Sequence, residues 1–526
     1  MYKLFYNAKF HTLDDHLPDC TALVVHSDRI VFCGTERDIN LPDRLVEKVN
    51  LHGLNIYPGF TDCHTHVAAV ALSKKRIRLD HCQTLASALK IIEAHVRNIP
   101  TDTWITGSGW NANIWPDGQP NKTHLDRISA EHPIALYNKD GHTQWLNSKA
   151  LALSHIGPGS ADPPGGKLGR DKKGELTGLV YEKACDIVNS YSEKISYNLL
   201  YKCMQELYPE LYSCGITGVH SCESLDTWII FQQLFQNDAL KIRVCMHPPV
   251  ENAEKLIESG LSSAFGNEWL RLGGLKYFVD GSLGSQTAEM FDNYQGLNHA
   301  GIEVLKEPDL FSLVKSHAEK GWSATIHAIG DKANHKTLNA LEKTYQAKQQ
   351  KRLRHRIEHA QIIADNDLPR FAALNVIASM QPMHIADDVK LADQYLGDRS
   401  QNAYRVSSLI CSGARVVFGS DMPIADFDPL KGILAATTRQ YLLDQDQSVW
   451  NKNECTSSLQ ALHAYTKDAA FASYEENLKG TLSPGKVADF FGLKIDLEKA
   501  SVQKLRKAKV ELTVMAGDVV FQKNNI

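Results

Sequence analysis

Eight short apolar runs recur along the chain: "YPGFTDCHTH" (57–66), "GITGVHSC" (215–222), "IRVCMH" (242–247), "LGGLKYFVD" (272–280), "WSATIHAIG" (322–330), "LRHRIEHAQ" (353–361), "NVIASMQP" (375–382) and "ARVVFGSD" (414–421). Helical segments such as "LFSLVKSHAEKG" and "KTLNALEKTYQAKQQ" separate most of them. Strands that alternate with helices predict βα units and a parallel sheet. Eight such units are what a (β/α)8 TIM barrel requires, so the expected class is α/β with that barrel at its centre.

The two ends read differently. Residues 1–57 hold short strand-like runs with turns ("KLFYNAKF", "ALVVHSDRIVFCG"), and "GTLSPGKVADFFGLKI" and "VELTVMAGDVVFQ" give the far end the same texture. The expectation is a small discontinuous β-sandwich built from 1–57 plus 480–526. Residues 68–195, rich in Trp, Gly, Pro and Asn, interrupt the pattern after the first strand and are expected to form an insertion over the barrel mouth. That leaves 58–67 plus 196–479 for the barrel.

Composition narrows the function classes. A net charge of −4 over 526 residues, with no long run of one sign, gives no nucleic-acid footprint. No stretch approaches the ~18 apolar residues of a membrane helix, and the N-terminus becomes polar too early for a signal peptide. Eleven cysteines, an odd number without C-x-x-C pairs, predict reduced thiols and a cytoplasmic protein. The expected partner is a small-molecule substrate, with a homodimer as the one assembly considered.

The polar residues at the strand ends carry the chemistry. His64 and His66 stand two apart, and in an extended strand such residues share a face. One pair among 22 histidines proves little. However, Lys276 lies on the fourth run, and His327, His359 and Asp421 end the fifth, sixth and eighth. TIM-barrel active sites sit at the C-terminal ends of the strands, so the joint placement points to one metal site. By parity with His359, His355 is expected to face the interior as a supporting partner.

The chain resembles the amidohydrolase superfamily, and within it amidohydrolase family 3, the group of N-substituted formamide deformylase-like proteins. The matching stretches are "YPGFTDCHTH", "TWITGSGWN", "DGHTQWLNSKAL", "GELTGLVYEKA", "GGLKYFVDGSLGSQTA", "IHAIGDKAN", "RIEHAQ", "QPMH", "FGSDMP" and "GTLSPGKVADF". The resemblance implies that His64, His66 and Asp421 hold one divalent ion and that His327 and His359 hold a second. It implies that Lys276, carbamylated by CO2, bridges the two, with Glu182 and Cys222 as rival bridging ligands because some relatives use Glu or Cys, or a single ion. Neutral imidazoles with a carboxylate suit zinc, while manganese or iron fit the same donors. The implied reaction is hydrolysis of an amide, formamide or N-acyl C–N bond by a metal-activated hydroxide, with Asp421 as proton shuttle. His142, Trp145, His384 and Ser282 are weaker candidates for substrate contacts. Two rival readings stand beside this one: a deaminase acting on an aminated ring, which Lys276 disfavours, and a non-catalytic relative, which the filled ligand set disfavours.

Overall fold

The computed structural model describes every residue except 18, 41, 74–75, 98, 193–196, 441–448 and 524–526. Two parallel sheets occupy its centre. One has four strands, in spatial order Leu270–Leu272, Arg243–His247, Ile216–Cys222 and Phe60–Thr65. The other has five, in the order Leu275–Phe278, Ala324–Ala328, Arg356–His359, Ile377–Met380 and Val416–Phe418. Almost every residue of these strands is buried, as parallel sheets covered on both faces require.

The sheets touch at both seams. At one, Thr65 bridges Met422, and the Asp421 N–H donates to the His64 carbonyl at 2.7 Å. At the other, Pro249 bridges Lys276, and the Lys276 N–H donates to the Pro248 carbonyl at 2.8 Å. The run expected as a single strand over 272–280 is broken at Gly273–Gly274, and its halves lie in different sheets. The cause is local. A Cβ on Gly273 would meet the His247 ring at 2.4 Å, so the backbone passes against an imidazole that only glycine leaves room for.

Helices cover the strands. Leu310 and Val314 of Glu307–Glu319, Leu338 and Leu341 of Asp331–Lys343 and Phe371 of Leu368–Ala373 enter one apolar cluster with the strand residues Ile326, Ile357 and Ala378. Ser224 fixes the start of Leu225–Gln236 by accepting from the Thr227 N–H, an ordinary N-cap.

The chain ends come together. A four-stranded sheet contains Tyr2–Tyr6, Ala22–His26, Arg29–Gly34 and Val46–Asn50. A six-stranded sheet pairs Asn55–Pro58 antiparallel with Phe490–Leu493, and continues through Val510–Met515 to Asp518–Gln522. Phe5, Phe10, Ile30, Ile56, Phe490 and Val514 share one apolar cluster between them. Residues 77–182 contribute a separate six-stranded mixed sheet, running from Ile77–Arg78 at one edge to Gly166–Arg170 at the other. The boundary expected between 195 and 196 lies outside the described residues. Among the described residues no helix is long and apolar enough to cross a membrane.

One buried ion pair ties the terminal strands to the centre. Arg243, on a central strand, donates from Nε and Nη2 to the Asp489 carboxylate at 2.5 and 3.1 Å, and both side chains are almost wholly buried. Removing one member of such a pair strands the other's charge in a low-dielectric interior, at about 3–5 kcal/mol. Asp489→Ala is therefore expected to lower the free energy of unfolding by about that amount, read from the denaturant midpoint.

Candidate metal centre

The strand Phe60–Thr65 carries His64 and hands over to His66, and both rings turn toward Asp421. His64 Nε2 lies 3.4 Å and His66 Nε2 3.3 Å from Asp421 Oδ1. Backbone hydrogen bonds fix this convergence. Besides the Asp421 N–H on the His64 carbonyl, the His66 N–H donates to the Met422 carbonyl at 2.9 Å. Asp421 sits at φ 58°, which turns its carboxylate back over the strand ends. Gly419 permits the approach, since a Cβ there would lie 2.4 Å from the His64 nitrogen. The Asp62 carboxylate adds a clamp, accepting from the Ser420 N–H at 2.9 Å and the Ser420 hydroxyl at 2.6 Å.

His327 and His359 face each other with ring centroids 4.5 Å apart, and the His359 ring lies 5.0 Å from that of His64. His359 arrives by a route that the parity argument missed. On the strand Arg356–His359 it is Arg356 and Glu358 that turn toward His64. His359 joins them because its φ is 71°, which breaks the alternation at the strand end. His355 does not line this site; its Nδ1 accepts from the Ala324 N–H at 2.9 Å at the beginning of the strand.

Each of the four imidazoles has one ring nitrogen committed to an acceptor. His64 Nδ1 faces Glu358 Oε2, His66 Nδ1 the Cys222 carbonyl at 3.1 Å, His327 Nε2 the Gly281 carbonyl at 3.0 Å, and His359 Nδ1 the Gln381 side-chain oxygen at 2.8 Å. In the neutral ring, a nitrogen facing an acceptor carries the proton and leaves the lone pair on the opposite nitrogen. This is the arrangement in which metal-binding histidines are held. One donor atom each from His64, His66 and Asp421 fall within 4.8 Å of one another, and so do donors from His359, His384 and Asp421. The residues present therefore fit a divalent ion.

Electrostatics agree. Burial pushes the Asp421 carboxyl upward, but His64 and hydrogen bonds from His64 and His66 outweigh it and hold the group well below the usual carboxylate range. Burial holds His327 and His359 well below the ordinary imidazole range, with neighbouring positive charge adding to the effect. Both rings are thus neutral, the ligating form. For His64, burial is outweighed by Glu358, which lifts it above the ordinary range. Glu358 is itself held well below its usual range, burial being outweighed by Arg356 and His64.

The remaining candidates divide. Lys276 is buried and lines the same cavity as His64, His66, His327, His359 and Asp421, its Nζ 4.8 Å from the Phe278 ring centre. His142 reaches that cavity from the six-stranded sheet of residues 77–182; its Nδ1 pairs with Glu182 at 2.7 Å, and its ring lies 5.1 Å from that of His327. Glu182 has its other oxygen taken by the Thr287 hydroxyl at 2.6 Å. Burial pushes the Cys222 thiol up to about 12, and its carbonyl, not its sulfur, supports His66. His384 lies with Nε2 4.0 Å from Asp421 Oδ2, nearer the ligands than a contact past the seventh strand implied.

One expected substrate contact needs correction. Trp145 does not reach the cavity: it is wholly buried in the core of the 77–182 sheet against Trp110 and Trp115, its indole N–H donating to the Asn121 carbonyl at 2.9 Å. Ser282 lines a second, smaller cavity together with His142, His359, His384 and Asp421, and its hydroxyl donates to Asp140 Oδ2 at 2.8 Å. Sequence reasoning missed Glu358, Gln381 and Arg356. "RIEH" held a usable signal, because a charged pair two residues apart just before a ligand histidine is costly to bury unless it supports that site.

With this geometry in view, the comparisons are consistent. The profile described as "Amidohydrolase family" matches residues 47–521. The chain is 32% identical over 502 residues to Protein LONG AFTER FAR-RED 3 of Arabidopsis thaliana, covering 92% of this chain and 85% of that one. It is 24% identical over 545 residues to the N-substituted formamide deformylase of Arthrobacter pascens, covering 98% of each. Among solved structures, an uncharacterized metal-dependent hydrolase from Pyrococcus horikoshii superposes with a TM-score of 0.78 at 25% identity, covering 96% of this chain and 99% of that one. The chain belongs to the amidohydrolase family.

Proposed function

We propose that this protein is a metal-dependent amidohydrolase that cleaves an amide, formamide or N-acyl C–N bond of a small molecule. The observation that carries the reading is the set of four histidines, each with one nitrogen already committed to an acceptor and the other left for an ion beside Asp421. The resemblance to a formamide deformylase along nearly the whole chain supports the choice of bond. In the same reading, the two parallel sheets, joined at both seams, act as one closed (β/α)8 barrel. Residues 1–57 with 480–526 form the sandwich, 58–67 with 196–479 the barrel, and 68–195 the insertion above the site.

His64, His66 and Asp421 would hold one ion, and His327 and His359 a second. A zinc-type ion bound here would lower the pKa of a water to about 7 and polarise the substrate carbonyl. Asp421 is ionised, sits beside both ligand histidines, and has the carboxylate to take a proton and return it to the departing nitrogen. His142, pushed up to about 9 against burial by Glu182 and so cationic at neutral pH, faces the same cavity and can donate a hydrogen bond to the substrate. Lys276 is the bridging residue of choice: its amine would add to CO2 and lose a proton to become an anionic oxygen donor. The Cys222 thiol stays protonated, and both Glu182 oxygens are engaged elsewhere.

Two outcomes follow. Glu358→Gln removes the charge that holds His64, and outer-shell changes of this kind cost about 10–100-fold in metal affinity. Competition with a chromophoric chelator should show that loss. Asp421→Asn keeps shape and an oxygen but removes the base. Its kcat on N-formyl and N-acyl amines should fall at least about a hundredfold, with circular dichroism and thermal melting unchanged. Near-normal turnover would reassign the proton transfer.

A further inference from the structure

The cavity that holds the candidate ligands has a volume of about 430 Å³ and runs up into the insertion, where Arg76 forms part of its wall. Arg76 follows the helix Val67–Ser73, which begins directly after His66. Its side chain is half-buried. The other cations contributed by the insertion to this wall are neutralised: Lys139 by Asp387 at 2.8 Å, and Lys183 by Glu251 at 3.1 Å and Asp186 at 3.6 Å. The nearby Asp80 is taken by Arg78 at 2.7 Å. Among the described residues no carboxylate forms an ion pair with Arg76. Its electrostatic neighbour is the Tyr137 phenol, which burial keeps protonated and which offers no countercharge.

An unpaired guanidinium in a partly desolvated wall is costly, and burial accordingly lowers the pKa of Arg76. An anion supplied by a ligand relieves that cost. The planar fork of a guanidinium matches a carboxylate in two-point fashion. We propose that Arg76 binds the carboxylate of an anionic substrate, so that the class cleaved at the metal centre is the N-acyl amino or other carboxylate-bearing amides rather than neutral N-acyl amines. The inference rests on the amide-hydrolysis reading and specifies its substrate. Arg76 is a specificity residue and does not touch the reacting atoms.

The test pairs N-acetylphenylalanine with its neutral counterpart N-acetylphenethylamine. In the wild type kcat/KM should favour the carboxylate. Loss of a charged hydrogen-bonding partner costs about tenfold or more in affinity, so Arg76→Met should cut that preference by about that factor, chiefly through KM. Arg76→Lys should keep part of it, and thermal melting of both variants should match the wild type. A second arm measures calorimetric binding of N-acetylphenylalanine to metal-stripped protein, where the wild type should bind and Arg76→Met should bind about tenfold or more weakly. Turnover of neither compound, with binding that still depends on Arg76, would count against amide hydrolysis and leave the anion site standing. Turnover with a preference for the neutral compound, no binding of the carboxylate, or a preference unchanged in Arg76→Met would overturn the proposal.

Discussion

Where the strand Phe60–Thr65 meets the Ser420–Met422 corner, two backbones lie so close that a methyl group on Gly419 would strike His64. That proximity governs the site. It sets the hydrogen bond from the Asp421 N–H to the His64 carbonyl and the one from the His66 N–H to the Met422 carbonyl. Donor groups from two remote parts of the sequence thereby meet at one point, without a flexible side chain having to reach. The seam also joins the two parallel sheets, so the same contact brings the candidate ligands together and fastens one sheet to the other.

Beneath the candidate ligands lies a buried charge system that must balance. Arg356 donates from Nη2 to the Glu358 carboxylate at 3.1 Å, to the Cys63 carbonyl at 2.5 Å and to the Ser379 hydroxyl at 2.6 Å, and its Nη1 meets His220 Nδ1 at 3.0 Å. Its positive charge keeps Glu358 ionised, and ionised Glu358 fixes the tautomer of His64. An isolated carboxylate in that interior would protonate instead. His247 belongs to the same polar layer: burial takes it down to about 3, and as a neutral ring it bonds the Thr325 hydroxyl at 2.8 Å. The layer spends hydrophobic burial on fixing imidazole orientation, the trade expected beneath a site that needs rigid ligands.

Much of this was legible in the residues. The alternation of apolar runs with helical segments predicted the parallel strands, and H-x-H spacing predicted that His64 and His66 would share a face. The strand-end positions brought His327, His359 and Asp421 into the same cavity as Lys276. What escaped had physical reasons. Strand parity failed at His359 because a left-handed residue breaks the alternation, and one sequence does not announce such a residue. Trp145 was a candidate substrate contact beside His142, but the sheet of residues 77–182 needs its own core and uses the indole there. Glu358 and Gln381 were invisible because supporting acceptors follow from three-dimensional adjacency, not from spacing. The break at Gly273–Gly274 depended on an imidazole from the neighbouring strand.

The central claim is that the protein folds with its histidine nitrogens already sorted into proton-bearing and metal-facing atoms. Anomalous diffraction at the zinc edge, from crystals of protein exposed to zinc and never to chelator, tests it most directly. The account predicts a peak in contact with Nε2 of His64, Nε2 of His66 and the Asp421 carboxylate, and any peak at His327 and His359 should lie on Nδ1 and Nε2 respectively. A fully loaded crystal with no peak at these atoms, or with zinc bound through the nitrogens that face Glu358, Gly281 or Gln381, would contradict it.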